Sequence, residues 1–207
     1  MKTLITGATG GFGRVLCEVF ADNGYTLWIH GRDAQKLHTL KEELEEEYMT
    51  DVYVICGDIK NDDTIRLISN SVFTHEIDVV INNAALYSHA VMDSIKTNAV
   101  AIIDLIDDLI DKERPMTVVN INSVAGLRGN PNEAAYCASK FALRGYSESV
   151  KFSAIKKGIR IVDVYLGAMS VGMGKGRGTI DPVEAAELIV DVIETKSFIP
   201  EIRSYRE

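Results

Sequence analysis

The chain has 207 residues, 46% of them hydrophobic and 25% charged, which is the balance of a globular protein with ample material for a core. A formal net charge of −8 at pH 7 argues against nucleic acid as a partner, because neutralising phosphates needs a basic face. No run approaches the ~18 apolar residues of a membrane helix; the best candidate, AVAIIDLIDDLI, is broken by Asp104, Asp107 and Asp108.

Strand and helix patterns alternate from the first residues. KTLIT is a short β-branched run, and GFGRVLCEVFADNG then repeats apolar residues at helical spacing (Val15, Leu16, Val19, Phe20) before stopping at Gly24. YTLWIH, VYVIC, VVIN, TVVNI and RIVDVYL follow as strands, mostly apolar on both faces, as strands buried on both sides of a parallel sheet must be. Helical segments fall between them at about 33–48, 61–73, 92–112, 133–157 and 181–194. IPEIRSY reads as a brief last strand, with Pro200 tolerated at an edge. The alternation predicts one α/β domain over residues 1–207: a Rossmann-type, doubly wound parallel sheet of six to seven strands with helices on both faces. Gly167–Ile180, GAMSVGMGKGRGTI, reads as a flexible loop near the site, in which Lys175 and Arg177 are more simply solvated than bound to an anionic substrate.

The opening MKTLITG lacks the apolar stretch of a signal peptide, and Cys17, Cys56 and Cys137 suit neither a disulfide framework nor a zinc site. A cytoplasmic protein is the expectation. His30, His38, His75 and His89 form no ligand spacing, so no metal is assigned.

Between the first strand and first helix stands TGATGGFG, Thr6 to Gly13. Glycines there let the backbone turn tightly against a pyrophosphate at the helix N-terminus, so Gly7, Thr9, Gly10, Gly11, Phe12 and Gly13 are candidate cofactor contacts. Two spacings fit at once, Gly7-Gly11-Gly13 and Gly7-Gly10-Gly13, and leave the subclass open. The second strand ends in HGRD. Gly31 leaves room for a 2′-phosphate and Arg32 supplies a fixed cationic fork, whereas Asp33 more naturally caps the next helix. NADP(H) is favoured over NAD(H), which stays the other candidate.

Tyr136 and Lys140 are four apart and share one face of a helix. Reduction of a carbonyl needs an acid beside its oxygen, and oxidation of an alcohol needs a base there. A phenol is ill suited at its free pKa near ~10, and a cation one turn away should lower that value. Ser123, at the end of the fifth strand, is placed to donate to the substrate oxygen.

Together these residues resemble the short-chain dehydrogenase/reductase family, from the first strand to near the C-terminus. Thr6–Gly13 is similar to its TGxxxGxG turn, and Gly31-Arg32 to its NADP-preferring members. Asp58 and Ile59 stand where the family holds the adenine; Asn82-Asn83-Ala84-Ala85 resembles its NNAG, with Ala85 for Gly. The resemblance implies a catalytic tetrad of Asn98, Ser123, Tyr136 and Lys140, with the usual thirteen-residue step from Ser to Tyr. It implies that Asn98 holds a water linking Lys140 to solvent and that Tyr136 and Lys140 also contact the nicotinamide ribose. Asn82, Ala84 and Gly167 become cofactor contacts on the same grounds.

Departures concentrate downstream. Where the family has Pro-Gly followed by a Thr that touches the nicotinamide amide, this chain has Leu166-Gly167 and then Val171, with Ser170 one position early. The segment between Asn82 and Asn98 and the one between Gly167 and Asp181 are both short for the family. The reading is an NADP(H)-dependent oxidoreductase acting on a small carbonyl or alcohol. The alternative is a nucleotide-binding regulator or scaffold of the same fold with weak or no catalysis. The resemblance further implies a homodimer or homotetramer joined through Asn98–Leu109 and the helix after Tyr136.

Overall fold

The computed structural model describes residues 1–171, 178, 180–195, 197 and 199–205. Seven parallel strands form one sheet: β1 (Lys2–Thr6), β2 (Thr26–Gly31), β3 (Val52–Cys56), β4 (Val79–Asn82), β5 (Met116–Ser123), β6 (Ile159–Leu166) and β7 (Glu201–Ser204). Their order is β3-β2-β1-β4-β5-β6-β7. Chain direction across the sheet reverses between β1 and β4, and a crevice opens there beyond the carboxyl ends of the strands. The last strand pairs with β6 from Asp163↔Glu201 to Leu166↔Ser204, and Pro200 stands just before it, where its missing N–H interrupts no ladder.

Helices cover both faces because the strands are apolar on both. Helices α1 (Gly11–Asp22), α2 (Ala34–Tyr48) and α7 (Pro182–Glu194) pack on one face through Leu16, Phe20, Leu37, Leu40, Ile189 and Ile193. On the other lie α3 (Asp62–Thr74), α5 (Ala101–Asp111) and α6 (Ala134–Lys156), which contribute Ile65, Ile68, Leu105, Leu109 and Leu143. Burying each such side chain is worth roughly 1.5–3 kcal/mol, so these two layers outweigh any single cap or ion pair. Caps set the boundaries: Asp33 accepts from the Lys36 N–H at 3.1 Å, and Asp181 accepts from Val183 N at 2.8 Å with Pro182 opening α7.

The long helix expected over 92–112 is interrupted. It runs as a short α4 (Val91–Ile95), a π-helical turn (Lys96–Val100) and then α5. The extra residue of a π turn changes which side chains face inward: Asn98 is 1% exposed, while its neighbour Thr97 borders the crevice.

Candidate active site

The crevice is a cleft of about 930 Å³ running along the strand ends from Arg32 to Tyr136. Its floor is the β1–α1 turn. Gly7 has φ +66, and a Cβ on it would lie 2.7 Å from Ala84 Cα; a Cβ on Gly13 would lie 2.1 Å from Gly7 O. The turn is therefore closed to any larger residue at both positions. The Thr6 hydroxyl accepts from the N–H groups of Asn83 and Ala84, both at 3.0 Å, which locks the end of β4 against it. Gly10 caps α1 without a side-chain hydrogen bond, so the first amides of the helix have no internal acceptor and lie in the cleft wall. That is a cradle fitted to a phosphate.

At the far end stand His30, Gly31, Arg32, Asp58 and Ile59. Arg32 is exposed and, among the described residues, has no ion-pair partner; Asp33 pairs with Lys36 instead. A free guanidinium bordering the cleft suits a 2′-phosphate. Asp58 accepts from Lys60 N at 3.0 Å, which fixes the loop after β3. His30 is 2% exposed with Nε2 at 3.1 Å from Gly57 O, and burial pulls its pKa down to about 4, so it is neutral.

Ser123, Tyr136 and Lys140 meet at the other end and all border the cleft. Ser123 is the last residue of β5, where its Oγ accepts from Ala125 N at 3.1 Å and its N–H donates to Asn122 Oδ1 at 2.8 Å. Lys140 is 3% exposed; its Nζ lies 5.7 Å from the Tyr136 ring centre and donates to Ile121 O at 2.8 Å. The electrostatics reverse the simple expectation. Burial pushes the Tyr136 phenol up to about 12 against a hydrogen bond with Ser123, and burial pulls Lys140 down to about 8. Desolvation, which disfavours both charged forms, is the largest cause of each shift.

Two of the expected site residues lie away from the cleft wall. Asn82 does not border the cleft: it is buried in the sheet, donating to Asn120 Oδ1 at 2.9 Å, because the alternation of β4 turns it inward. Its neighbour Asn83 takes the cleft position and holds the glycine turn through Thr6 O and Gly7 O. Asn98 does not border the cleft either. Its Oδ1 accepts from Leu86 N at 2.7 Å, and its Nδ2 donates to Leu86 O at 2.8 Å and Ser139 Oγ at 3.0 Å. The amide shapes the loop after β4, and both of its N–H groups are engaged within the protein.

Gly167, Leu166, Met169 and Val171 border the cleft, whereas Ser170 is exposed and does not. Among the described residues of this segment, no hydroxyl borders the cleft. Of the expected flexible loop, Met169 forms a parallel bridge to Ile180; Lys175 and Arg177 lie outside the described residues. The sequence reading missed Tyr87, Arg128 and Glu133, which also line the cleft. The Tyr87 ring lies 5.7 Å from that of Tyr136. An aromatic just after the NNAA stretch was the one signal for it.

Residues 2–179 match the family described as short chain dehydrogenase. The chain belongs to that family. As a short chain dehydrogenase family member it is 30% identical over 163 residues to nodulation protein G of Rhizobium sp. (strain N33), covering 72% of this chain and 65% of that protein. It is 30% identical over 172 residues to the 3-oxoacyl-[acyl-carrier-protein] reductase FabG of Rickettsia typhi, covering 77% and 68%. The chain thus spans about two thirds of the length of these curated relatives. Among solved structures, an alcohol dehydrogenase from the archaeon Thermococcus sibiricus complexed with 5-hydroxy-NADP superposes with a TM-score of 0.86 at 20% identity, over 98% of this chain and 95% of that one. That likeness establishes the family's fold.

Proposed function

We propose that the chain is an NADP(H)-dependent oxidoreductase that transfers a hydride between the nicotinamide and a small carbonyl or alcohol substrate. The observation that carries this reading is convergence: one cleft holds an uncapped helix N-terminus and the Arg32 guanidinium at one end and Ser123, Tyr136 and Lys140 at the other. A dinucleotide with its pyrophosphate in the cradle and its 2′-phosphate at Arg32 would fill the first end and leave the second to the reacting groups. The bound dinucleotide would supply or take up the hydride.

Tyr136 handles the proton. Burial holds the phenol protonated at neutral pH, the form that can donate to a carbonyl oxygen. Ser123 Oγ donates to the same substrate oxygen and stabilises the charge that develops there. Lys140, with its pKa near 8, lies close enough to neutrality to return a proton to the phenolate. Tyr87, Arg128 and Glu133 frame the substrate. The protein acts in the cytoplasm as one domain and as a homo-oligomer, through α5 and α6, the latter exposing Phe141, Phe152 and Ile155.

Tyr136→Phe tests the reading. It should abolish NADPH oxidation with a carbonyl substrate while calorimetry still records NADPH binding; wild-type turnover by this variant would refute the assignment. A second reading is favoured by Val171, an apolar residue where a hydroxyl would order the nicotinamide: the chain binds NADPH as a regulator or scaffold with weak catalysis. NADPH binding without oxidation across a broad carbonyl and alcohol panel would select it.

A further inference from the structure

Asn122 is 3% exposed, borders the cleft and precedes Ser123, yet no step of the proposed reaction uses it. A buried amide has a carbonyl oxygen and an NH2 group to satisfy, so its partners say what it holds. Side chains alternate along β5, and Asn120 and Asn122 therefore leave the same face of the sheet. Both reach α6. Asn120 Nδ2 lies 3.1 Å from Ser147 Oγ of that helix and 3.1 Å from Asp163 Oδ1 of β6. Asn122 meets the helix two turns earlier: its Nδ2 donates to Lys140 O at 3.4 Å, while its Oδ1 accepts from Ser123 N at 2.8 Å. One partner can only accept and the other only donate, so the orientation of the amide is fixed by its neighbours.

Lys140 is thereby tied to β5 at both of its ends. Its Nζ donates to Ile121 O at 2.8 Å, and its carbonyl accepts from the next residue, Asn122. The residue after that is Ser123, whose Oγ accepts from Ala125 N at 3.1 Å, leaving the hydroxyl proton for another acceptor. Room for the bridge comes from Gly126, where a Cβ would lie 2.7 Å from Asn122 Oδ1 and 3.1 Å from Lys140 O. Gly126 has no positive φ, so the missing side chain, and not a turn, is what the position supplies.

We propose that Asn122 is a positioning residue for the reaction: its amide bridges Ser123 and Lys140, and so sets the hydroxyl that donates to the substrate oxygen against the helix turn that carries Tyr136. This rests on the reading of Ser123 and Tyr136 as the groups that meet that oxygen. The chemistry of the bridge asks for an amide. A carboxylate at this position would face the Lys140 carbonyl oxygen with no proton to share, and an alanine would leave both backbone groups without this partner.

The test reads the phenol directly. In full-length protein without added nucleotide, 13Cζ-tyrosine NMR follows Tyr136, the signal being assigned by its loss in Tyr136→Phe. Ser123→Ala sets the displacement that goes with loss of the neighbouring hydroxyl. Asn122→Ala should move the signal in the same direction. Added to Ser123→Ala it should move the signal no further, because it acts through that residue. Gly126→Ala keeps Asn122 but fills the space of the bridge, and should reproduce the Asn122→Ala displacement. With NADPH and a carbonyl substrate, Asn122→Ala should lose about tenfold or more in kcat while calorimetry finds NADPH affinity within about twofold of wild type. An unmoved Tyr136 signal in folded Asn122→Ala overturns the proposal, as does an unchanged kcat. A displacement of undiminished size in the Ser123→Ala background overturns it as well, marking the amide as structural only, and so does a Tyr136 signal indifferent to Ser123→Ala. Should Asn122→Ala fail to fold, Gly126→Ala, alone and with Ser123→Ala, decides by the same criteria. The NMR arm needs no turnover, so failure here is separate from failure of the oxidoreductase reading, which Tyr136→Phe decides.

Discussion

Lys140 lies one helical turn from Tyr136, with its Nζ 5.7 Å from the phenol ring centre, yet its hydrogen bond goes across to Ile121 O on β5. The pair is held by burial that resists its charging, and the cost of that arrangement should be measurable as stability.

A lysine whose folded pKa lies near 8, below its ordinary 10.5, binds its proton less tightly folded than unfolded. The unfolded chain therefore carries more protons between about 8 and 10.5, and stability rises with pH across that window. Below it the penalty is fully present. Lys140→Met should accordingly melt about 2–4 °C above wild type at pH 7, lose most of that advantage by about pH 10, and have negligible turnover. Calorimetric melts at the two pH values check the first two outcomes, and a rate assay the third.

Arg32 makes no ion pair among the described residues, so its guanidinium is available to a 2′-phosphate. A charge-assisted hydrogen bond contributes about 1.5–3 kcal/mol, which is tenfold or more in affinity. Arg32→Ala should weaken NADPH binding by at least about tenfold and leave NADH binding unchanged, as read by titration calorimetry of both nucleotides. Equal loss for both would assign Arg32 to the adenosine in general.

Asn98 satisfies both backbone groups of Leu86. Asn98→Ala strips them of partners, and each unsatisfied buried polar group costs about 1–3 kcal/mol. The variant should lose about 2 kcal/mol of stability or more in urea unfolding, with faster amide exchange at Leu86. Exchange at Leu86 as slow as in wild type would show that the loop holds without this amide.

Val171 offers no hydrogen bond where it borders the cleft. Val171→Thr is nearly isosteric and adds a hydroxyl, worth about 1 kcal/mol when it finds a partner. Turnover should rise roughly fivefold at saturating NADPH. An unchanged rate would show that nicotinamide ordering does not limit this chain.

Much of the site was legible because its determinants are local. The glycine turn, HGRD and the Tyr136–Lys140 spacing each lie within a few residues of one another, and the strand and helix order then brings them to one crevice. What sequence could not supply was register. Asn82 and Asn83 are adjacent and chemically identical; only the pairing of β4 with β5 decides which turns toward Asn120 and which toward Gly7. That the Asn98 amide holds Leu86 was not legible either, because the two become neighbours only when the π turn draws Asn98 inward. Asp163 stood in plain view within RIVDVYL, but an apolar strand pattern gives no sign that one member faces Asn120 and Ser147.

The Asn98 amide ties the loop after Ala85 to Ser139, whose hydroxyl in turn donates to Tyr136 O at 2.7 Å. On the proposed reading, the wall that frames the substrate and the helix turn that delivers the proton therefore share one set of struts. Substrate range and proton delivery cannot drift independently in descendants of this chain. A lineage that rebuilt the loop around Tyr87 to admit a larger molecule would have to preserve the Asn98–Ser139 tie or replace it, and engineering toward new substrates meets the same constraint.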